Sequence, residues 1–443
     1  MTIRLVKTSD MGFKPLLKGI LARRGVRGGD VERRVSEILG AVQRQGDAAL
    51  LRYTRLFDHV RLSRAAIEVK PAEITRALSD VPRKDLTTLR FAAKRIAAFH
   101  RRQLQKSWQY RDPLGMMLGQ RITPLERVGI YVPGGKASYP STVLMNAIPA
   151  KVAGVKEIIM TSPIGEGAAF ILAAAHIAGV SPVFRVGRAQ AVAALAFGTR
   201  TIPKVDKIVG PGNIFVATAK RMVFGEVDID SIAGPSEILV LADDSADPVH
   251  VAADMLSQAE HDELAAALCV TLSAALAKKI QAAIADQLRS SKRHAISRKS
   301  VGKYGAIIVA SGAKEMVELA NLIAPEHVEL IVRRPQALAK QIRNAGAIFL
   351  GSYSAPPLGD YLAGPNHVLP TGGSARFFSP LGTYDFFKRT TMIRAERRAL
   401  RSLAPKLTQL ARLEGLDDHA RSVEARFRTV NDGSFTGGDP GAK

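Results

Sequence analysis

The chain has 443 residues, of which 47% are hydrophobic and 23% are charged, so it has the composition of a soluble globular protein with room for several domains. It contains no run of roughly 18 consecutive apolar residues, and its N-terminus lacks the uninterrupted apolar core of a signal peptide, so we expect no membrane partner. The single cysteine, Cys269, lies in an apolar run and can form no internal disulfide. This fits a buried residue in a reducing cytoplasm.

The net charge of +23 raises the question of a nucleic-acid binder, because basic surfaces attract phosphate backbones. The basic residues are spread along the chain rather than gathered in one stripe. Only 6% of the residues are aromatic, and they do not alternate with arginine in a way that would stack bases. We therefore expect no nucleic-acid partner.

The hydrophobic pattern changes along the chain. The first 110 residues have apolar positions three and four apart, the pattern of helices. From about residue 121, short β-rich runs alternate with alanine-rich helical stretches, and this alternation resumes from about residue 305. The pattern predicts an α/β fold with two incomplete Rossmann-like parallel-sheet domains, one inserted in the other, with helical N-terminal and C-terminal segments.

Three further segments follow the last predicted strand. Residues 351–377 are rich in glycine and proline and have the character of a functional loop. Residues 380–430 have a helical pattern. The final residues, 431–443, have almost no apolar side chains to anchor them, so we expect this tail to be disordered.

Possible metal ligands are scattered over the second half of the chain. Gln258 and His261 in SQAEHDEL are three residues apart and would share one face of a helix. Asp360 lies in PLGDYLAG and His419 in EGLDDHAR. An amide oxygen, two imidazoles and a carboxylate form a mixed set that suits zinc. Solvated helix faces and a turn aspartate are the ordinary alternatives.

An adjacent acid and base, Glu326 and His327, follow Pro325 in APEHVEL. A carboxylate at such a position could activate water, and an imidazole could accept protons near neutral pH. A surface pair is the ordinary alternative. Ser236 in AGPSEIL lies in a turn, where a serine is usually a local cap. His367 in GPNHVLPTGG has a loop histidine with one structural hydrogen bond as its ordinary alternative.

Two glycine-containing turns lie between predicted strands and helices, in YVPGGKASYPSTVL (131–144) and VGPGNIFVATAK (209–220). Each fits either a tight connection or a place where backbone N–H groups approach an anion. Neither turn carries the full G-x-G-x-x-G pattern. In the second turn, Phe215 occupies the place of the third glycine. A nicotinamide cofactor therefore does not follow from these turns alone.

An ordered set of segments closely resembles the histidinol dehydrogenase family. The segments are ERVGIYVPGGKASYPSTVLMNAIPAKVAGV, PKVDKIVGPGNIFVATAK, AGPSEILVLAD, SQAEHD, APEHVEL, GPNHVLPTGG and EGLDDHARSVEAR. The resemblance extends to about Arg428. It implies the oxidation of L-histidinol to L-histidine by way of L-histidinaldehyde, the last step of histidine biosynthesis, with one Zn²⁺ per site and two NAD⁺ consumed per histidinol.

The resemblance also implies roles for individual residues. The implied zinc ligands are Gln258, His261, Asp360 and His419. The implied substrate contacts are Ser236, Gln258, His261, His327, Asp360, His367, Glu414 and His419, and the implied NAD contacts are Tyr131, Gln190 and Asn213. His327 would take the alcohol proton, Glu326 would activate water to hydrate the aldehyde, and Glu414 would bind the substrate ammonium.

The family resemblance further implies a homodimer and a division into domains. The C-terminal residues would complete the site of the partner subunit. The predicted segments are 1–25 (helical), 26–125 with 240–378 (α/β, carrying most metal and catalytic residues), 126–239 (NAD-binding), 379–430 (helical dimerisation segment) and 431–443 (tail). The main rival is a related dehydrogenase acting on another small alcohol, although such an enzyme would have no need for Glu414 and His419.

Overall fold

The structure is a computed structural model that describes residues 3–22, 29–134, 139–165 and 168–427. The predicted tail 431–443, the second glycine of the 131–144 turn and part of the predicted segment 1–25 lie outside the described residues. The chain divides into two compact units. The first comprises Met1–Leu104 and Pro124–Phe387, and the second comprises Gln105–Thr123 and Lys388–Lys443.

The described residues of the two units form the following strands and helices, which alternate over most of the first unit. The strands are β1 (Arg4–Lys7), β2 (Trp108–Arg111), β3 (Met117–Pro124), β4 (Arg127–Tyr131), β5 (Glu157–Thr161), β6 (Val183–Phe184), β7 (Lys207–Val209), β8 (Asp228–Ile229), β9 (Glu237–Ala242), β10 (Ala266–Thr271), β11 (Ala306–Val309), β12 (His327–Ile331), β13 (Ala347–Leu350) and β14 (Phe387–Arg394). The helices are α1 (Phe13–Ala22), α2 (Gly29–Gln45), α3 (Asp47–Asp58), α4 (Pro71–Asp80), α5 (Arg83–Arg101), α6 (Pro140–Ala153), α7 (Ala168–Ala178), α8 (Arg188–Phe197), α9 (Ile214–Val223), α10 (Pro248–Ala259), α11 (Ala274–Ser290), α12 (His294–Tyr304), α13 (Ala313–Ile323), α14 (Pro335–Ala339), α15 (Arg397–Leu413) and α16 (Asp417–Glu424).

A six-stranded parallel sheet has the order β1-β11-β10-β9-β12-β13. Its central strands are apolar on both faces because helices cover both sides. In β9, Ile238 and Val240 pack on the side of α10 and α11, whereas Leu239 and Leu241 pack on the side of α13. This two-sided burial fixes the register, and it places the odd-numbered residues of β12 towards α10.

A five-stranded parallel sheet has the order β6-β5-β4-β7-β8, and its strands fall in sequence between β1 and β9. Val128 and Ile130 of β4 pack in one apolar cluster with α6 and α7. Tyr131 packs in the opposite cluster, with α2 and α8. The predicted α/β fold with parallel sheets is therefore confirmed, whereas the exact domain boundaries stay a prediction.

The second unit contains an antiparallel pair, β2 and β3, and the helices α15 and α16. Two segments predicted to be helical contain a strand in addition to helices. Residues 1–25 begin with β1, which pairs with β11, and residues 380–430 begin with β14, which neighbours β3. In both places pairing with a distant strand outweighs the local pattern. No helix among the described residues is both long and apolar enough to cross a membrane.

Candidate active site

The acid/base pair lies at the start of β12. Helix α13 ends at Ile323, and Ala324 adopts a left-handed conformation (φ 44°) that turns the chain into the strand. Glu326 and His327 are buried, with their carboxylate Oε2 and imidazole Nδ1 atoms 3.7 Å apart. The predicted pair is therefore internal and does not fit the surface alternative.

Glu237, the first residue of β9, holds both members of this pair. Its backbone N–H donates to the Glu326 carboxylate at 2.9 Å, and its carbonyl lies 3.1 Å from His327 Nδ1. Because a carbonyl only accepts, Nδ1 carries a proton and Nε2 faces away. The Glu237 carboxylate also accepts from Gly372 N at 3.3 Å, which ties β9 to the glycine-rich loop. Sequence reasoning missed this residue, although it directly follows Ser236.

Burial and neighbouring charges shift the pKa values of both Glu326 and His327. Burial raises the pKa of Glu326 to about 7, with the positive charge of His327 acting against it. Burial lowers the pKa of His327, but Glu326 and Asp360 outweigh burial and raise it to about 9. His327 Nε2 lies 3.8 Å from Asp360 Oδ1 and has no hydrogen-bond partner among the described residues.

Asp360 lies in a single π-helical turn, Leu358–Leu362, within the glycine-rich loop. Burial raises the pKa of Asp360, but the positive charge of His327 outweighs burial, so the pKa of Asp360 is lowered and its carboxylate is ionised. The Asp360 carbonyl lies 2.9 Å from Nδ1 of the His367 ring. Burial lowers the pKa of both His261 and His367, which keeps these rings neutral. The structure thus brings four predicted residues into one electrostatic cluster.

Gln258 and His261 belong to the first unit, whereas Glu414 and His419 belong to the second. Gln258 is buried in the last turn of α10, whereas His261 lies in the turn after the helix, so the two do not share a helix face as predicted. The helix ends at Ala259, and the His261 N–H bonds back to the Gln258 carbonyl at 3.3 Å. Glu414 caps α15 and His419 lies in α16; both are exposed and belong to the second unit.

The donor chemistry of the first unit fits zinc. Gln258 offers an amide oxygen, His261 a neutral imidazole and Asp360 an ionised carboxylate, which are the forms in which these side chains bind the metal. Across the described ranges, no group of three or more histidine, cysteine, aspartate or glutamate side chains is arranged as a metal site. The zinc ligand set therefore stays a prediction.

The predicted dinucleotide contacts follow three strands of the five-stranded sheet. Tyr131 ends β4, Gln190 lies two residues into α8 after β6, and Asn213 caps α9 after β7. The carboxyl ends of parallel strands are where open α/β sheets bind ligands. The Asn213 side chain accepts from the N–H groups of Phe215 and Val216 at 3.0 and 3.3 Å.

The turn before Asn213 requires glycine at Gly210. Its φ is 115°, and a Cβ there would lie 2.1 Å from the Tyr131 carbonyl oxygen. Lys220 and Asp230 form a buried ion pair around this turn. Lys220 Nζ donates to the Gly210 carbonyl at 2.9 Å, and Gly210 N donates to Asp230 at 2.8 Å. A tight turn therefore explains this glycine without reference to a ligand.

Comparison with known proteins identifies the family of this chain. A sequence profile described as histidinol dehydrogenase matches residues 21–427. The chain is 55% identical to histidinol dehydrogenase of Syntrophotalea carbinolica, over 96% of this chain and 99% of that protein. It is 52% identical to the Aquifex aeolicus histidinol dehydrogenase, over 96% of this chain and 99% of that protein.

A solved structure supports the same relationship. The crystal structure of histidinol dehydrogenase from Elizabethkingia anophelis superposes with a TM-score of 0.90 at 33% sequence identity, covering 97% of this chain and 99% of that chain. The profile match includes the segment that contains Glu326 and His327, and the structural match covers nearly the whole chain. The chain therefore belongs to the histidinol dehydrogenase family, an oxidoreductase family of histidine biosynthesis.

Proposed function

We propose that this protein catalyses the zinc- and NAD-dependent four-electron oxidation of L-histidinol to L-histidine via L-histidinaldehyde. The observation that carries the proposal is the buried Glu326–His327 pair, held by Glu237, with His327 Nε2 left without a hydrogen-bond partner in the described part of the chain. Successive oxidation of an alcohol and an aldehyde requires one base that takes the alcohol proton and a second base that activates water.

His327 is the proposed base of the first oxidation. The Glu237 carbonyl fixes the proton on Nδ1, so in the neutral ring the lone pair is on Nε2. Nε2 takes the hydroxyl proton of histidinol while a hydride leaves the adjacent carbon, and the C–O bond becomes the aldehyde double bond. Since Glu326 and Asp360 raise the pKa of His327, this base needs an opposing positive charge to act at neutral pH.

Glu326 is the proposed base of the second oxidation. With a pKa raised by burial to about 7, its carboxyl group is partly ionised at neutral pH and can accept a proton from water. The resulting hydroxide adds to the aldehyde carbon and gives a singly deprotonated hydrate. Loss of a second hydride and a proton from this hydrate yields the carboxylate, and the water supplies its second oxygen.

A zinc ion and NAD⁺ would complete this chemistry. Gln258, His261, Asp360 and His419 would hold the zinc ion, which when bound would offset the Asp360 charge and orient the two substrate nitrogens by chelation. Tyr131, Gln190 and Asn213 would contact NAD⁺, whose chemistry is the acceptance of one hydride in each oxidation. Ser236, His367 and Glu414 are proposed as further substrate contacts.

The proposal includes a homodimer in the cytoplasm, with Glu414 and His419 completing the partner's site. The amphipathic helix α15 supports an interface, because Leu410 and Leu413 are 59% and 76% exposed in the single chain. The buried, reduced Cys269 is compatible with a reducing compartment.

The reaction is tested by counting NADH formed per L-histidinol consumed in the presence of zinc, with two expected. His327→Gln and Glu326→Gln are each expected to slow turnover about 100-fold or more, and Glu326→Gln should impair L-histidinaldehyde oxidation more than it lowers zinc content. His250→Gln and Glu318→Gln, at exposed positions, are the matched controls. Turnover of another alcohol without any turnover of histidinol would contradict the proposal.

Sharing of sites between subunits is tested by complementation. Inactive His419→Ala chains are mixed with inactive Glu326→Ala chains, and heterodimers are purified with two affinity tags. Partial recovery of activity is expected, since one site of each heterodimer would have every side chain intact. Verified heterodimers without activity would argue against donation in trans.

A further inference from the structure

Asp58, at the end of α3, makes contacts in the proposed cofactor site that the chemistry above does not use. Its carboxylate Oδ1 accepts from Arg188 Nε at 2.9 Å, and its Oδ2 accepts from Gln190 Nε2 at 3.2 Å. The Asp58 side chain is 9% exposed. Burial raises the pKa of Asp58, and the Arg188 guanidinium acts against that shift. One carboxylate thus holds two side chains from the first turn of α8.

The direction of the Gln190 amide follows from this contact. An ionised carboxylate can only accept hydrogen bonds, so the NH₂ group of Gln190 must face Asp58. The amide oxygen is left pointing elsewhere. It is fully buried and has no hydrogen-bond partner among the described residues. An unsatisfied buried acceptor is costly, which makes Gln190 Oε1 a place for a donor group.

Tyr131 supplies the complementary group beside it. Burial raises the pKa of Tyr131 to about 12, so the phenol stays protonated. Its oxygen accepts from Arg188 N at 3.1 Å, which leaves the O–H free to donate. Arg188 makes this contact with a left-handed backbone, φ 53°, a conformation that ion pairing with Asp58 helps to hold.

We propose that Asp58 is a positioning residue of the dinucleotide site, which orients Gln190 so that its amide oxygen receives a hydrogen bond from a hydroxyl or amine of the cofactor. This inference rests on the proposed function, because it takes Tyr131 and Gln190 as cofactor contacts. Asp58 acts through Gln190 and touches neither substrate nor cofactor. Asp58→Asn would leave one acceptor oxygen for two donors, so the Gln190 amide loses its fixed direction.

The experiment measures the Kd of NAD⁺ by calorimetry for the zinc-loaded full-length protein. Asp58→Asn is expected to raise the Kd about tenfold or more, with less than a twofold change in the KM of histidinol. Asp47→Asn is the matched control: Asp47 is a buried aspartate at the other end of α3 that binds Thr201 and Arg64 instead. It should leave the Kd within about twofold of the wild-type value.

A double-mutant cycle separates positioning from a general structural role. In a Gln190→Ala background, Asp58→Asn should change the Kd less than about twofold, because its route to the cofactor is gone. An equal tenfold effect in both backgrounds, or a wild-type Kd in Asp58→Asn, would overturn the inference. If Asp58→Asn does not fold, Asp58→Glu, which displaces the carboxylate by one methylene, should raise the Kd at least about threefold, and an unchanged Kd would overturn it. Absence of NAD⁺ binding by the wild-type protein would instead refute the proposed function.

Discussion

The buried carboxyl group of Glu329 makes the stability of this protein depend on pH. Glu329 lies on β12, two residues after His327, and is fully buried on the side of α10, near Asp254. Burial, and then the negative charge of Asp254, raise its pKa from 4.5 to about 9. Neither carboxyl oxygen of Glu329 has a hydrogen-bond partner among the described residues, so burial and the charge of Asp254 account for the raised pKa.

The sign of the effect follows from this raised pKa. Between pH 4.5 and about 9 the folded state keeps a proton that the unfolded chain releases, so the free energy of unfolding falls as the pH rises through this window. The slope for one such group is about 1.4 kcal/mol per pH unit, which gives roughly 3 kcal/mol between pH 6 and pH 8. Asp254, whose pKa burial also raises, acts in the same direction.

Glu329→Gln removes this titration while keeping the size of the side chain. Urea unfolding at fixed protein concentration is measured at pH 6, 7 and 8 for the wild type, for Glu329→Gln and for the exposed control Glu318→Gln. The loss of stability from pH 6 to pH 8 should be smaller in Glu329→Gln by about 2–3 kcal/mol, and unchanged in the control. Parallel pH profiles for the wild type and Glu329→Gln would refute the assignment of a raised pKa to this residue.

Three other changes test separate parts of the structure. Gly210→Ala should weaken NAD⁺ binding about tenfold or more by calorimetry, since its Cβ would clash with a backbone carbonyl; Gly225→Ala, with φ 103° but open space around it, should not. His261→Asn should lose zinc by elemental analysis, whereas His250→Asn should retain it, and full occupancy in the first variant would count against a ligand role. Burial raises the pKa of the Cys269 thiol, so it should react with a thiol reagent at pH 8 only after denaturation; rapid labelling of folded protein would contradict its burial.

The fold could be predicted from the sequence wherever the residues of one strand are enough to identify it as a strand. In β9 and β10 every residue is buried, and such short apolar runs between helical stretches indicate a parallel sheet. β1 has only four residues, and β14 is almost entirely exposed. Their strand conformation depends on pairing with β11 and β3, which no local pattern reveals.

In the site, roles that belong to side chains have a signal in the sequence, whereas roles that belong to the backbone have none. Glu326, His327 and Asp360 have side chains whose chemistry suggests a role, and the family resemblance selected them from many similar residues. Glu237 positions the first two through its N–H and carbonyl, which every non-proline residue possesses, so its identity gives no signal for this role. Only the register between β9 and β12, in which His327 lies opposite Ile238, places that backbone beside the pair. A substitution at Glu237 would therefore remove the carboxylate contact to Gly372 and keep both backbone contacts, so it should loosen the glycine-rich loop more than it disturbs the base.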